Sequence, residues 1–170
     1  MILDILKYPD PRLAMTSETV AEITSEIRQL AEDMLETMYA AEGVGLAAPQ
    51  VGKRIRMLVM DPHHQDGGRH PRVFINPMLT PEGEAIISTS EGCLSVPLNY
   101  RADVPRAKTV HVRALDLNGN AIDEKLEGFP AIVIQHEVDH LEGTLFIDKI
   151  SHLRRNMYDN KVKKWQKSRQ

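Results

Sequence analysis

The sequence predicts an α+β fold: a single domain with a mostly antiparallel, partly mixed β-sheet packed around a central helix, plus N-terminal and C-terminal helices. Three observations predict it. Apolar residues recur at helical spacing between Thr24 and Glu42. Short runs of β type follow and end in an Asn118-Gly119 hairpin signal. Finally, an apolar approach from Phe129 leads into His136-Glu137-Val138-Asp139-His140 and a stop at Gly143. No internal repeat or linker interrupts the chain, so residues 1–170 read as one domain.

In order, Ile23, Ile27, Leu30, Met34, Leu35, Met38 and Tyr39 mark the first helix, with Thr24 as its cap and Gly43 as its stop. The Met-rich stripe reads as core packing. Gly43 to Gln50 reads as a loop, and without a P-loop's Lys-Ser/Thr it is no phosphate cradle. Arg56–Met60 and Arg72–Ile75 are expected strands on either side of a polar loop carrying His63, His64 and His70, which reads as solvated. Glu84–Ser88 leads towards the only cysteine. Thr109–Leu115 alternates at period two, turns at Asn118-Gly119 and returns through Ala121–Leu126. The histidine-bearing helix follows, and Ser151 to Gln170 forms a final basic helix.

Composition limits the function classes. The chain has 170 residues, an apolar share of 42% and a net charge of −3, which fits one globular domain and excludes a general nucleic-acid binder; no specific DNA contact is expected. One cysteine excludes an intrachain disulfide and suits a reducing cytoplasm. No apolar run is long enough for a membrane span, and Met1-Ile2-Leu3-Asp4 does not open a signal peptide.

His136 and His140 lie four residues apart, so on a helix both rings reach one divalent cation, which makes this the metal-binding helix. Glu137 is rotated about 100° away. It flanks the ion and suits a base acting on water. A catalytic centre of this kind needs a third protein ligand and leaves a fourth position for water. At the position of a third histidine in one zinc-protease pattern stands Phe146, which cannot ligate. Asp148, His152 and Asp159 are downstream candidates. The better one is Cys93 in Glu91-Gly92-Cys93-Leu94-Ser95, since a thiolate binds borderline and soft metals well. Two enzyme rivals remain at this level, a zincin-like metallopeptidase and a thiol hydrolase using Cys93 as nucleophile. A structural metal module is the third, closed by His111 as a fourth ligand.

Gly43-Val44-Gly45-Leu46-Ala47-Ala48-Pro49-Gln50, Glu91-Gly92-Cys93-Leu94-Ser95 and Gln135-His136-Glu137-Val138-Asp139-His140 together resemble the three signature motifs of the peptide deformylases. Tyr8-Pro9-Asp10-Pro11-Arg12-Leu13 resembles that family's N-terminal segment. The order and spacing match over essentially the whole chain. The resemblance implies hydrolysis of the formyl group from the N-formyl-methionyl end of nascent polypeptides. It implies Fe(II) as resident metal, with Zn(II), Ni(II) or Co(II) as substitutes, where the ligand chemistry alone favours zinc. It also implies that the Leu94 backbone N–H and the Gln50 side-chain amide are oxyanion donors.

An apolar slot is expected for the methionine side chain. Phe129, Ile132 and Val133 share a helical stripe with His136, while Gly43, Val44, Gly45 and Leu94 face it; Glu91 is grouped with these substrate-binding residues. From Ser151 to Gln170 there are seven Lys or Arg and one Asp, a local +6 that leaves −9 for the rest. Leu153, Met157, Val162 and Trp165 are expected to stripe one face and dock this helix on the body or on a partner, with the basic side outward. The resemblance implies that its basic face contacts the ribosome.

Overall fold

The computed structural model describes residues 1–169. Thr24 opens the first helix, its hydroxyl accepting the Ile27 N–H at 3.3 Å, and α1 spans Ser25–Ala40. The stop is Glu42 rather than Gly43. Glu42 takes the left-handed conformation at φ 58° and donates its N–H to Tyr39, while Gly43 N–H reaches back to Met38 C=O at 2.9 Å. This paired closure satisfies two end carbonyls of the helix.

The expected loop from Gly43 to Gln50 contains a strand, β1 at Gly45–Ala47, followed by a 3-10 turn at Ala48–Val51. Next come β2 at Met57–Met60 and a one-turn helix, α2, at His64–Gly67 within the polar loop. The long strands β3 at Arg72–Glu91 and β4 at Ala102–Leu115 follow, and β4 returns as β5 at Ala121–Glu127. Strand β3 outruns its sequence signal because register shifts near Ile75/Met78 and Glu82/Ala85 absorb a stretch containing Pro77 and Gly83. The order is β1-β2-β3-β4-β5 with every neighbour antiparallel, and parallel pairing is confined to an isolated bridge between Glu18 and Ile55. Chain neighbours are sheet neighbours, so none of these pairs is a parallel crossover.

Strand β2 explains the layering. Leu58 and Met60 pack towards α3, which spans Phe129–Leu141, whereas Met57 and Val59 pack towards α1. All four are buried, so the sheet is covered on both faces here. Helix α3 brings Ala131, Ile134 and Leu141 to this core and ends where Gly143 adopts φ 75°. Gly143 is close-packed as well, since a β carbon there would lie 2.5 Å from the Ala14 carbonyl oxygen.

The final helix, α4, spans His152–Ser168, with the Ser151 hydroxyl accepting the Arg154 N–H. Gln170, included in the expected helix, lies outside the described residues. The docked face differs from expectation. Tyr158, Val162 and Trp165 pack against Val96, Phe146 and Ile147, while Leu153 and Met157 are 71% and 56% exposed. Tyr158, absent from the expected stripe, is the anchor: it is 1% exposed and its hydroxyl donates to Pro97 C=O at 2.9 Å. No helix among the described residues is long and apolar enough to cross a membrane.

Candidate metal centre and substrate groove

Helix α3 carries His136, Glu137 and His140 on the side facing the loop after β3, and that loop brings Cys93. One ligand atom from each of Cys93, His136 and His140 lies within 4.8 Å of the others. Cys93 Sγ is 3.3 Å from His140 Nε2. Tetrahedral bonds of roughly 2.0 and 2.3 Å place N and S about 3.5 Å apart, so the group fits a single zinc-sized ion. The His136 ring adds to the fit. Its Nδ1 is bonded to Glu91 Oε1 at 2.7 Å, which leaves Nε2 for a metal. Among the described residues no other His, Cys, Asp or Glu group gathers in this way.

The rival ligands lie elsewhere. His111 pairs with Asp123 on β5, while Asp148 and Asp159 both bind Arg155. Phe146 is buried and stacks against His136 at 6.2 Å between ring centres. His64 Nε2 is 2.9 Å from the Gly43 carbonyl oxygen, and His63 lies against Phe129. The polar loop is therefore not simply solvated, since it buttresses the groove wall.

Glu137 is 4% exposed, and its Oε1 has no hydrogen-bond partner. Its other oxygen abuts Gly45, where a β carbon would lie only 2.6 Å from Oε2. Glycine is required there for contact rather than for torsion. Burial pushes the Glu137 carboxyl up to about 7, with His136 opposing and Glu91 adding to the rise. Burial alone would lower the His136 imidazole, but the Cys93 sulfur and then the Glu91 carboxylate hold it well above its ordinary range. His140 goes the other way, depressed by burial and by the neighbouring His136.

Glu91 has a task that sequence reasoning did not assign. Its carboxylate accepts from Arg106 at 3.2 and 2.5 Å and bonds His136, so both oxygens are engaged, while the residue itself belongs to the groove lining. Burial opposes ionisation, yet the His136 and Arg106 bonds hold Glu91 down at about 2. Arg106 also donates to Asp139 at 2.6 Å, which ties the network to α3. A signal for Arg106 existed. Ala102, Val104 and Arg106 occupy successive inward positions of β4, and a charge in the inward phase of a strand needs a partner.

Gln50 is 1% exposed. Its Oε1 accepts the Ala47 N–H at 2.9 Å, and its Nε2 donates to Ser95 Oγ at 3.0 Å with Cys93 Sγ at 3.7 Å. Gly43, Val44, Gly45, Leu94, Phe129, Ile132 and Val133 line one groove that reaches Cys93, His136 and Glu137, with a volume of about 730 Å³. Phe129 stands at 44% exposure, while Val133 is at 4%.

A family model described as polypeptide deformylase matches residues 2–156. A peptide deformylase of Psychrobacter arcticus is 50% identical over 169 residues, covering 99% of this chain and 90% of its own. The crystal structure of a peptide deformylase from Legionella pneumophila superposes with a TM-score of 0.90 at 38% identity, covering 99% of this chain and 98% of its own. One from Ehrlichia chaffeensis, in complex with actinonin, gives 0.88 at 41% identity with 96% of each chain covered.

Proposed function

The chain belongs to the peptide deformylase family, and from that premise we propose how its own residues divide the work. The enzyme removes the formyl group from the N-terminal end of nascent polypeptides. Cys93, His136 and His140 are the residues that would hold the metal, and Fe(II) is the resident ion we assign, with Zn(II), Ni(II) or Co(II) able to substitute. When bound, the metal supplies Lewis acidity that activates water and polarises the formyl carbonyl. Glu91 fixes the His136 ring from behind, and Arg106 and Asp139 fix Glu91. Glu137 accepts the proton of the attacking water and passes it to the departing methionyl nitrogen. The Leu94 N–H and the Gln50 amide stabilise the oxyanion as the formyl carbon becomes tetrahedral. The products are formate and a free amino terminus.

One observation carries this assignment: three ligand atoms converge beside a buried carboxylate oxygen that has no protein partner. A peptidase reading finds no such support, because Phe146 fills the third-histidine position and packs as core.

The groove side chains imply the substrate preference. Phe129, Ile132, Val133 and Val44 bury an unbranched apolar side chain at about 1.5–3 kcal/mol of transition-state binding, roughly 10- to 100-fold in kcat/KM. Formate release from metal-loaded enzyme is therefore expected to favour formyl-Met and formyl-norleucine peptides by that margin over formyl-Gly and formyl-Asp peptides. A flat profile would remove the slot. Absence of formate from every formyl peptide would remove the reading itself.

The chain is assigned to the cytoplasm, with the ribosome as partner through the outer face of α4. Arg154, Lys161, Lys164 and Lys167 are all exposed there, beside Leu153 and Met157. Truncation is a poor test because Val162 and Trp165 belong to the core. The combined change Lys161→Glu, Lys164→Glu, Lys167→Glu is expected to abolish salt-sensitive co-sedimentation with ribosomes while activity on a formyl-Met tripeptide stays within about twofold. Unchanged co-sedimentation at low salt would exclude this face.

A further inference from the structure

Residues Leu6 to Tyr8 cross both loops that carry the proposed oxyanion donors. Leu6 N–H donates to Gln50 C=O at 2.7 Å and Tyr8 N–H to Ser95 C=O at 2.8 Å. Between them the Lys7 ammonium donates to Leu94 C=O at 2.5 Å. Cys93 to Val96 is a β-turn closed by Val96 N–H on Cys93 C=O at 3.0 Å, so Leu94 C=O and Ser95 N–H are the two ends of its central peptide unit. The N–H end of that unit points at Cys93 Sγ, 3.4 Å away. A cation on one end and the sole thiol on the other are joined by a single planar amide.

We propose that Lys7 is a positioning residue for the metal centre. Its charge, acting through the Leu94–Ser95 peptide, strengthens the Ser95 N–H···Sγ hydrogen bond and so sets how much electron density Cys93 gives to a bound metal. The inference rests on Cys93 being a ligand. A donor on the carbonyl oxygen withdraws electrons from the amide and leaves the N–H more positive, the cooperativity expected of linked hydrogen bonds. Hydrogen bonds to a ligating sulfur are in turn one of the levers by which a protein tunes its metal. The effect of Lys7 is electronic rather than conformational. Flipping the central peptide to the alternative turn would need a positive φ at Ser95, and Ser95 is not among the residues with one. The turn therefore keeps its orientation when the ammonium is removed. Lys7 is exposed, so its removal leaves no buried group unpaired.

Lys7→Met keeps the aliphatic stem without the charge, and Lys7→Arg restores a donor. Two readouts apply, neither of them activity. In the zinc-loaded protein the Ser95 amide proton resonance is expected to move upfield in Lys7→Met. In the cobalt-loaded protein the sulfur-to-cobalt charge-transfer band is expected to move to longer wavelength. Lys7→Arg is expected to return both towards wild type, with thermal midpoints equal in all three proteins. A Met variant with both signals at wild-type positions overturns the relay alone. A wild-type cobalt protein without a sulfur band overturns Cys93 as a ligand, and the relay with it.

Discussion

Glu137→Gln is expected to retain metal at one equivalent while turnover on a formyl-Met peptide falls by roughly 10²–10⁴-fold, the usual worth of a positioned general base. The amide has the size of the carboxyl and fits beside Gly45, so packing survives. What disappears is the ionisable carboxyl, one oxygen of which has no partner in the folded chain. Metal analysis and steady-state kinetics on the same preparation decide the outcome. Near-normal turnover with full metal would remove Glu137 from the reaction. Loss of metal together with activity would make it a ligand, or essential to holding the site together.

The second large effect concerns stability. Arg106→Met leaves the Glu91 carboxylate buried with only His136 as partner, and stranding one member of a buried pair typically costs about 3–5 kcal/mol. Denaturant titration of the variant is expected to show a loss of that order. Adding Glu91→Gln is expected to recover part of it, because the remaining group no longer carries a charge. A single-variant loss under about 1 kcal/mol would mean that water reaches Glu91 and screens the charge. The same carboxylate sets an acid limit. Its folded value of about 2 lies below the ordinary 4.5, so its contribution is complete above pH 4.5 and is lost as the pH falls towards 2.

Which features could be read in advance depends on how local their causes are. Helix α3 announced itself because ligand spacing, apolar approach and a terminal glycine all lie within one short segment. The β4–β5 hairpin did so because Asn118-Gly119 suits a tight turn, and Gly119 has φ 79°. Strand β1 gave no signal. Its three residues are buried without polar alternation, and its only evidence is pairing with Met60, Val59 and Leu58. The site divides along the same line. Cys93 and the two histidines are of ligand type, whereas Glu91 acquires its role only through Arg106, brought beside it by β3–β4 pairing. Tyr158 anchors α4 through a carbonyl sixty-one residues away, which no helical periodicity encodes.

The placement of α3 also bears on how the enzyme ages. His136, Glu137 and His140 share a helix with Ala131, Ile134 and Leu141, which hold the sheet in place. Amide protons along such a segment exchange with solvent only when the whole molecule opens, whereas ligand-binding segments elsewhere are commonly among the first to loosen. Heat inactivation of this chain is therefore expected to coincide with global unfolding, which residual activity and a thermal melt on one preparation would check. A stabilising substitution far from the groove is then expected to lengthen working life.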